Sequence, residues 1–256
     1  MLDRAWRVVA TAFCFTCFGL GGVVIGLLAF PLLMAASPDR VVRTRRAQAL
    51  IHHTFRFFVG LMRAVGVICL EVRGAQRLQR SGQLVLANHP SLIDVVILIS
   101  LLKQTNCIVK GALWRNPFTR GPILAAGYIS NDGGSELIDA CVAALHQGDN
   151  LIVFPEGTRT PLNGPLQMQR GAANIAVRAS CIVTPVVIQV STPMLPKGRP
   201  WYRVPPQRPH FTVTVEDDID MQIFLTQERP ATLAARDLTQ WLHNFFTRET
   251  QQIAAA

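Results

Sequence analysis

The sequence has little charge for its length, and acidic residues are the scarcer sign. Charged residues make up 16% of the 256 residues, whereas ordinary soluble domains have roughly 25%. Half of the residues are hydrophobic, and 25 Lys and Arg outnumber 16 Asp and Glu, so the net charge is +9. We therefore expect part of the surface to meet lipid, and the basic balance fits anionic partners.

Cysteine is also scarce, with six residues scattered along the chain. The only close pair, Cys14 and Cys17, lies in an apolar stretch without a second Cys or His pair to complete a metal site. We expect six free thiols and no metal site. This usage is typical of a reducing compartment that faces the cytoplasm rather than of a disulfide-linked secreted fold.

Two kinds of functional signature are missing. The chain has no recognisable nucleic-acid module and no basic stretch interleaved with stacking aromatics beside its polar motifs, so we expect no nucleic-acid partner. It also has no G-x-S-x-G elbow and no plausible catalytic Cys. Any acyl or group transfer would therefore use a nucleophile supplied by the substrate.

The longest apolar run covers residues 8–36 and contains no charge. Its length predicts a membrane segment, either one tilted span or a kinked helix that enters and leaves the same face. Residues 37–80 follow with nine Arg against Asp39 and Glu71, a balance of +7. By the positive-inside rule, this asymmetry predicts an inner-membrane protein whose main domain faces the cytoplasm.

Residues 41–65 show an amphipathic helical pattern. Arg45, His52, Arg56 and Arg63 recur on one side, and an apolar stripe lies on another. The stripe consists of Ile51, Phe55, Phe58, Met62 and Val65. We expect a helix in the lipid headgroup layer, with a solvated Arg face on an ordinary packing helix as the alternative. Residues 1–66 would then form a membrane-anchoring segment and residues 67–256 the main domain.

Short apolar runs alternate with helical stretches after residue 66. Strands are predicted at 67–72, 83–87, 107–109, 150–154, 182–189 and 211–215, and helices at 91–102, 135–146, 170–180 and 230–251. This alternation predicts an α/β fold with a largely parallel central sheet flanked by helices, in addition to the N-terminal membrane helix and the amphipathic helix. Ligands of such folds gather at the carboxyl ends of the strands.

A polar cluster, NHPSLID at residues 88–94, follows one predicted strand. Residues five apart on an ideal helix point about 140° apart, so His89 and Asp94 can meet only if His89 lies outside the helix. Pro90 favours that arrangement. The carboxylate of Asp94 would then fix the tautomer of His89 and leave its other ring nitrogen basic, as expected of a general base with an orienting carboxylate.

A second cluster, FPEGTR at residues 154–159, follows another predicted strand. Its Pro and Gly predict a tight turn that exposes Glu156, Thr158 and Arg159. The guanidinium of Arg159 is suited to bind a phosphate through two hydrogen bonds, with Thr158 and the backbone of Gly157 as further donors. A structural ion pair between Glu156 and Arg159 is the alternative.

Together the two clusters resemble the NHxxxxD and FPEGTR motifs of the glycerolipid acyltransferases, the family of lysophosphatidate acyltransferases. The resemblance runs from about Leu84 to Gln189, and Arg170 stands where the family has a basic residue. It implies that His89 deprotonates the acceptor hydroxyl, which attacks an acyl thioester without an acyl-enzyme, and that Glu156 belongs to the acceptor site. It also implies no cofactor.

The implied reaction moves a fatty acyl chain from acyl-CoA or acyl carrier protein to a lysolipid at a membrane, by default 1-acyl-glycerol-3-phosphate. One departure bears on the acceptor: family members that bind a phosphorylated acceptor have an Arg where this chain has Gly133. Arg120 or Arg170 can substitute, or the acceptor is another lipid, such as a lyso-ornithine lipid. A non-catalytic lipid-binding or acyl-carrier-binding protein is the alternative from another class.

Overall fold

The computed structural model describes residues 2–37, 39–161, 164–196, 198, 200–225 and 230–251. These residues form one sheet of seven strands with helices on both faces. The strands are β1 Cys69–Arg73, β2 Leu84–Ala87, β3 Thr105–Val109, β4 Ile129–Ser130, β5 Asn150–Val153, β6 Val183–Val190 and β7 His210–Val215. The predicted α/β fold with a largely parallel sheet is therefore confirmed.

The strands lie in the order β1-β7-β6-β2-β5-β3-β4, and only β6 and β7 pair antiparallel. The central strands β2, β5 and β6 are buried along most of their length, as expected for apolar strands covered on both faces. Because β2, β3 and β5 are parallel neighbours, their carboxyl ends meet at one edge of the sheet. Both polar motifs begin at this edge.

Nine α-helices accompany the sheet within the described residues. They are α1 Leu2–Val24, α2 Phe30–Ala35, α3 Arg40–Ala64, α4 Asp94–Leu101, α5 Gly111–Arg115, α6 Pro117–Ala125, α7 Gly134–His146, α8 Arg170–Ala179 and α9 Ala231–Gln251. One buried cluster joins residues of α1, α3 and α4 to one face of the sheet. The other joins residues of α7, α8 and α9 to the opposite face.

The N-terminal apolar run forms a nearly continuous helix, in which a π-helical turn, Ile25–Ala29, links α1 to α2. Residues 3–35 are long and apolar enough to cross a membrane by length and composition. The mean hydropathy of the most apolar stretch is 2.2, and only 6% of that stretch is buried against the rest of the molecule. Large side chains such as Leu27 and Leu32 are accordingly exposed on its surface.

The amphipathic pattern of residues 41–65 gives α3, which packs against both α4 and α1. Phe55 and Phe58 of its apolar stripe contact Phe18 of α1. Ile51, Phe58 and Met62 are buried, as the pattern predicts. His52, however, is only 5% exposed, because its Nδ1 lies 2.8 Å from the carbonyl oxygens of both Ile99 and Leu102. The prediction that His52 belongs to an exposed basic face is therefore wrong.

Most predicted elements are found within about three residues of their expected bounds. The short elements α5, α6 and β4 are missing from the prediction, because pieces of two to nine residues carry too little periodicity to be recognised. The boundary at residue 66 stays a prediction. Residues from both sides of it share the first buried cluster.

Candidate active site

His89 and Asp94 lie in direct contact at the carboxyl end of β2. Nδ1 of His89 is 2.9 Å from Oδ2 of Asp94, as the five-residue spacing predicts when the His precedes the helix. The helix α4 begins only at Asp94, so His89 and Pro90 lie in the preceding turn. The backbone N–H of Ser91 donates to the same carboxylate oxygen at 2.6 Å and fixes its position.

The environment of Asp94 is unusual for a carboxylate. Its side chain is fully buried, and burial raises the pKa of Asp94 to about 6, although the hydrogen bonds from His89 and Ser91 oppose this rise. The side chain of His89 is 16% exposed, so one face of the pair reaches solvent while the carboxylate stays dry. This geometry holds the Nδ1–H of the imidazole toward Asp94 and leaves Nε2 outside that contact.

Phe154 of the second motif packs against the imidazole of His89. The rings of His89 and Phe154 stack with centroids 4.1 Å apart and an angle of 19° between planes. Phe154 follows β5 directly and His89 follows β2, and these two strands are parallel neighbours, so the sheet itself places the rings together. The contact restricts rotation of the imidazole about its bond to the main chain.

Thr160, one residue after the second motif, links the two motifs. The backbone N–H of His89 donates to its Oγ1 at 3.1 Å, and its own backbone N–H donates to the carbonyl of His89 at 2.7 Å. The two polar clusters predicted from sequence therefore form one site. Thr160 was missed because no residue pattern marks a contact between positions 71 apart in sequence.

Glu156 lies beneath this junction rather than on the surface. Its Oε1 accepts hydrogen bonds from the backbone N–H of His89 at 3.1 Å and from the Thr160 hydroxyl at 2.6 Å. The residue is only 3% exposed, so the prediction that the turn exposes Glu156 is wrong. Burial raises the pKa of its carboxyl group, and Oε2 has no hydrogen-bond partner in the described part of the chain.

The turn after β5 depends on Gly157. Its φ is +64°, a backbone conformation that favours glycine, and its N–H donates to the carbonyl of Phe154 at 2.9 Å. A Cβ at this position would lie 3.2 Å from Cγ of Gln169. The turn presents Arg159, which is half-buried and donates from Nη1 to the carbonyl of Leu195 at 2.8 Å. A guanidinium has four further N–H groups with which to bind an anion.

The other predicted binding residues lie near this turn in the chain or in space. Thr158 is half-buried within the turn itself. Arg170 is exposed at the start of α8 and follows Gln169, whose N–H donates to the carbonyl of Pro155 at 2.7 Å. The amino end of α8 thus adjoins the Gly157 turn. Substrate contacts of these residues stay predictions.

The position at which the resemblance places an Arg adjoins an ion pair. Gly133 immediately precedes α7, and its neighbour Asp132 pairs with Arg115 at 3.0 Å. The Asp132 carboxylate covers Gly111 so closely that a Cβ there would lie 1.7 Å from Oδ2. Arg120 is exposed on α6. Within the described ranges, no group of three or more His, Cys, Asp or Glu side chains is arranged to hold a metal ion.

Asn88 is a second residue whose role the pattern did not reveal. It is 1% exposed, its Nδ2 donates to the carbonyl of Ile188 at 2.8 Å, and its Oδ1 accepts from the N–H of the same residue at 2.7 Å. Its amide therefore continues the pairing of β2 with β6 beyond the end of β2. This anchor fixes the chain immediately before His89.

Comparisons with known proteins agree with this architecture. The model of the acyltransferase family matches residues 69–189, which include both motifs. Over this segment, which is slightly less than half of its length, the chain is similar to the acyltransferase family. It is 26% identical over 148 residues to 1-acyl-sn-glycerol-3-phosphate acyltransferase from Pseudomonas aeruginosa, a match that covers 55% of this chain and 57% of that protein.

Two further proteins extend the comparison. The Helicobacter pylori 1-acyl-sn-glycerol-3-phosphate acyltransferase is 32% identical over 113 residues, which cover 41% of this chain and 48% of that protein. The chain thus spans about half the length of these curated relatives. The crystal structure of the 1-acyl-sn-glycerophosphate acyltransferase PlsC from Thermotoga maritima superposes with a TM-score of 0.72 at 19% identity, covering 99% of this chain and 98% of that one. This likeness establishes the fold.

Proposed function

We propose that the protein is a membrane-bound O-acyltransferase that moves a fatty acyl chain from an acyl thioester to the hydroxyl of a lysolipid. The observation that carries the proposal is the 2.9 Å contact between His89 and the buried carboxylate of Asp94. The curated relatives are named as acyltransferases of 1-acyl-glycerol 3-phosphate, which supports that lipid as the default acceptor.

The reaction follows from the chemistry of the pair. Nε2 of His89 removes the proton of the acceptor hydroxyl, and the oxygen attacks the thioester carbonyl to form a tetrahedral intermediate. Asp94 stabilises the imidazolium that forms. When the intermediate collapses, the C–S bond breaks, and the imidazolium returns its proton to the departing thiolate. The products are an ester and a free thiol, and the enzyme is regenerated without an acyl-enzyme.

Anion binding at the neighbouring turn fits the acceptor. Arg159 has free N–H capacity at the carboxyl edge of the sheet, and Thr158, Gly157 and Arg170 surround the same turn. A phosphate bound there lies on the same edge of the sheet as the reactive imidazole. Glu156 contributes to this acceptor site by holding the His89 turn that the acceptor approaches.

A different acceptor is the second candidate, and one observation favours it. Where the resemblance places an Arg, this chain has Gly133, and the neighbouring Asp132 already pairs with Arg115. Losing one cation near a phosphate weakens binding by roughly 1.5–3 kcal/mol. The affinity for a lysolipid without a phosphomonoester, such as a lyso-ornithine lipid, does not depend on this cation. The intact His89 and Asp94 pair speaks against a non-catalytic lipid-binding or carrier-binding role.

The N-terminal helices support membrane attachment. The exposed apolar surface of α1 and α2 has the length and composition to enter a bilayer, and Arg residues begin immediately after it. We place residues 1–66 in the anchor and residues 67–256 in the catalytic domain, on the cytoplasmic side of the inner membrane. A lipid acceptor would then diffuse to the site within the bilayer.

Mass spectrometry of products tests this proposal. The purified full chain is given mixed lysolipids with mixed acyl-CoA and acyl carrier protein donors, and the acylated products are identified. We expect one preferred acceptor and one preferred donor class, with 1-acyl-glycerol 3-phosphate as the default acceptor. Turnover of that lipid far below another lysolipid would select the second candidate, and absence of every acylated product would reject acyl transfer.

A further inference from the structure

A basic cavity lies at the edge of the sheet opposite to His89. Its volume is about 430 Å³, within the range of small-ligand sites. Gln104 and Asn150 in its wall stand where β3 and β5 begin, whereas His89 follows the end of β2. At about 3.3 Å per residue of strand, the four residues of β2 alone separate the two sites by roughly 13 Å. The cavity is therefore distinct from the candidate active site.

The lining of this basal cavity is strongly cationic. Arg45, Arg80, Lys103, His52 and His53 all contribute to it, and no carboxylate side chain does so within the described part of the chain. Arg80 is already paired with Asp218 at 2.6 and 2.8 Å, so it adds little net charge. The other two permanent cations make no ion pair with a described residue. Their charge is uncompensated at the cavity.

A buried polar side chain fixes the main chain at Arg80 and Lys103. Asn150 is 2% exposed, and its Nδ2 donates to the carbonyl oxygens of Arg80 at 3.0 Å and Lys103 at 2.9 Å. Its Oδ1 accepts from the N–H of Gln83 at 3.2 Å. One buried amide thus joins the two loops that carry these basic side chains. The main chain at both positions is therefore fixed before a ligand binds.

The wall also contains a buried hydrogen-bonding group without a partner. His52 is 5% exposed, and its Nδ1–H donates toward the carbonyl oxygens of Ile99 and Leu102. Its Nε2 is buried and has no hydrogen-bond partner among the described residues. A buried nitrogen without a hydrogen-bond partner destabilises the fold by its desolvation cost, unless a ligand supplies the missing partner. A phosphate group can do so in either protonation state of the ring, because it has both O–H donors and anionic acceptors.

We infer that this basal cavity is a binding site for a phosphate-bearing anion, held by Arg45 and Lys103 at its opening, with His52 in its wall. The cavity has room for a headgroup rather than for inorganic phosphate alone. The same chemistry is offered by the headgroup of an anionic phospholipid and by a small soluble phosphate ester. The site does not depend on the proposed acyl transfer.

Titration of the full chain in detergent micelles tests the inference. Inorganic phosphate and glycerol 3-phosphate are titrated by calorimetry in an Arg159→Ala background, which weakens phosphate binding at the catalytic edge. The double substitution Arg45→Gln and Lys103→Gln alters two side chains on the exposed rim and should leave the fold intact. Arg236→Gln on α9, on the other face of the sheet, is the matched control.

A second arm titrates short-chain phosphatidylglycerol into the same micelle-embedded protein, with short-chain phosphatidylcholine as the lipid without net charge. We expect the double substitution to weaken binding of the phosphate esters or of phosphatidylglycerol roughly tenfold or more, and Arg236→Gln to leave it unchanged. Saturable binding of the soluble esters identifies a small phosphate as the ligand, and saturable binding of phosphatidylglycerol alone identifies a lipid headgroup. Equal binding by native and double-substituted protein, equal loss in the Arg236 control, or no binding of any probe would overturn the inference.

Discussion

His89 and Thr160 exchange hydrogen bonds in both directions, at 3.1 Å to the threonine hydroxyl and 2.7 Å from the threonine N–H. This exchange fastens the turn that carries the proposed base to the turn that carries Arg159. The base and the proposed anion clamp are therefore positioned relative to each other by the main chain. A change in one turn is expected to disturb the other.

The pH dependence of turnover should follow the His89 and Asp94 pair. Because burial raises the pKa of Asp94 to about 6, its stabilising carboxylate forms only as the pH rises through that region. We expect kcat/KM to rise with pH through this region and to level off above it. The apparent pKa of this limb belongs to the pair. Asp94→Asn should lower the plateau and remove or shift this limb. An unchanged profile in Asp94→Asn would contradict the assigned orienting role.

Arg159→Ala should affect the acceptor more than the donor. Removing a charge-assisted contact costs roughly 1.5–3 kcal/mol, which corresponds to about a tenfold to hundredfold loss of kcat/KM for the acceptor. Steady-state kinetics with each substrate varied in turn measure this split. Arg178→Ala, on the exposed surface of α8, is a control with the same substitution. Equal effects of Arg159→Ala on both substrates would reject the clamp.

Glu156→Ala should weaken the fold and slow the reaction together. The substitution leaves the hydroxyl of Thr160 without its acceptor, at a cost of roughly 1–3 kcal/mol. It also removes one of the two acceptors of the His89 N–H, which keeps only the Thr160 hydroxyl oxygen. The midpoint temperature of thermal unfolding and kcat should both decrease. Glu156→Gln keeps one carbonyl oxygen and should restore most of both properties. If both variants raised only the acceptor KM, Glu156 would bind the substrate directly rather than position the His89 turn.

Asn88→Ala should destabilise the protein at the end of β2. The N–H and the carbonyl of Ile188 lose their side-chain partners, and a buried unsatisfied group costs roughly 1–3 kcal/mol. Chemical denaturation should show a lower free energy of unfolding. Asn244→Ala, which removes an exposed side chain on α9, serves as the control. Equal stability of the native and Asn88→Ala proteins would show that the strand pairing does not need this amide.

The sequence predicted the parts of the site that are local. The contact between His89 and Asp94 spans five residues, and the turn at Gly157 is marked by its own residues. The strands were recognisable because buried parallel strands are continuously apolar. These local signals were sufficient for the fold class and for the edge of the sheet at which the motifs meet.

Contacts between distant segments were not predictable in this way. The burial of Glu156 depends on a turn 67 residues earlier in the chain, and the burial of His52 depends on the carbonyl groups at the end of α4. Charge and helical spacing favour exposure for both residues, but tertiary hydrogen bonds overcome that preference. Thr160 likewise gains its role only from folding.

The most direct measurement of the central claim compares His89→Ala with His210→Ala in the full chain. His210 is 47% exposed and lies at the start of β7, away from the pair, so it controls for loss of an imidazole. We expect His89→Ala to reduce product formation by roughly 10²–10⁴-fold or more, measured by mass spectrometry, while flotation shows unchanged membrane association. Near-normal turnover by His89→Ala would contradict the account.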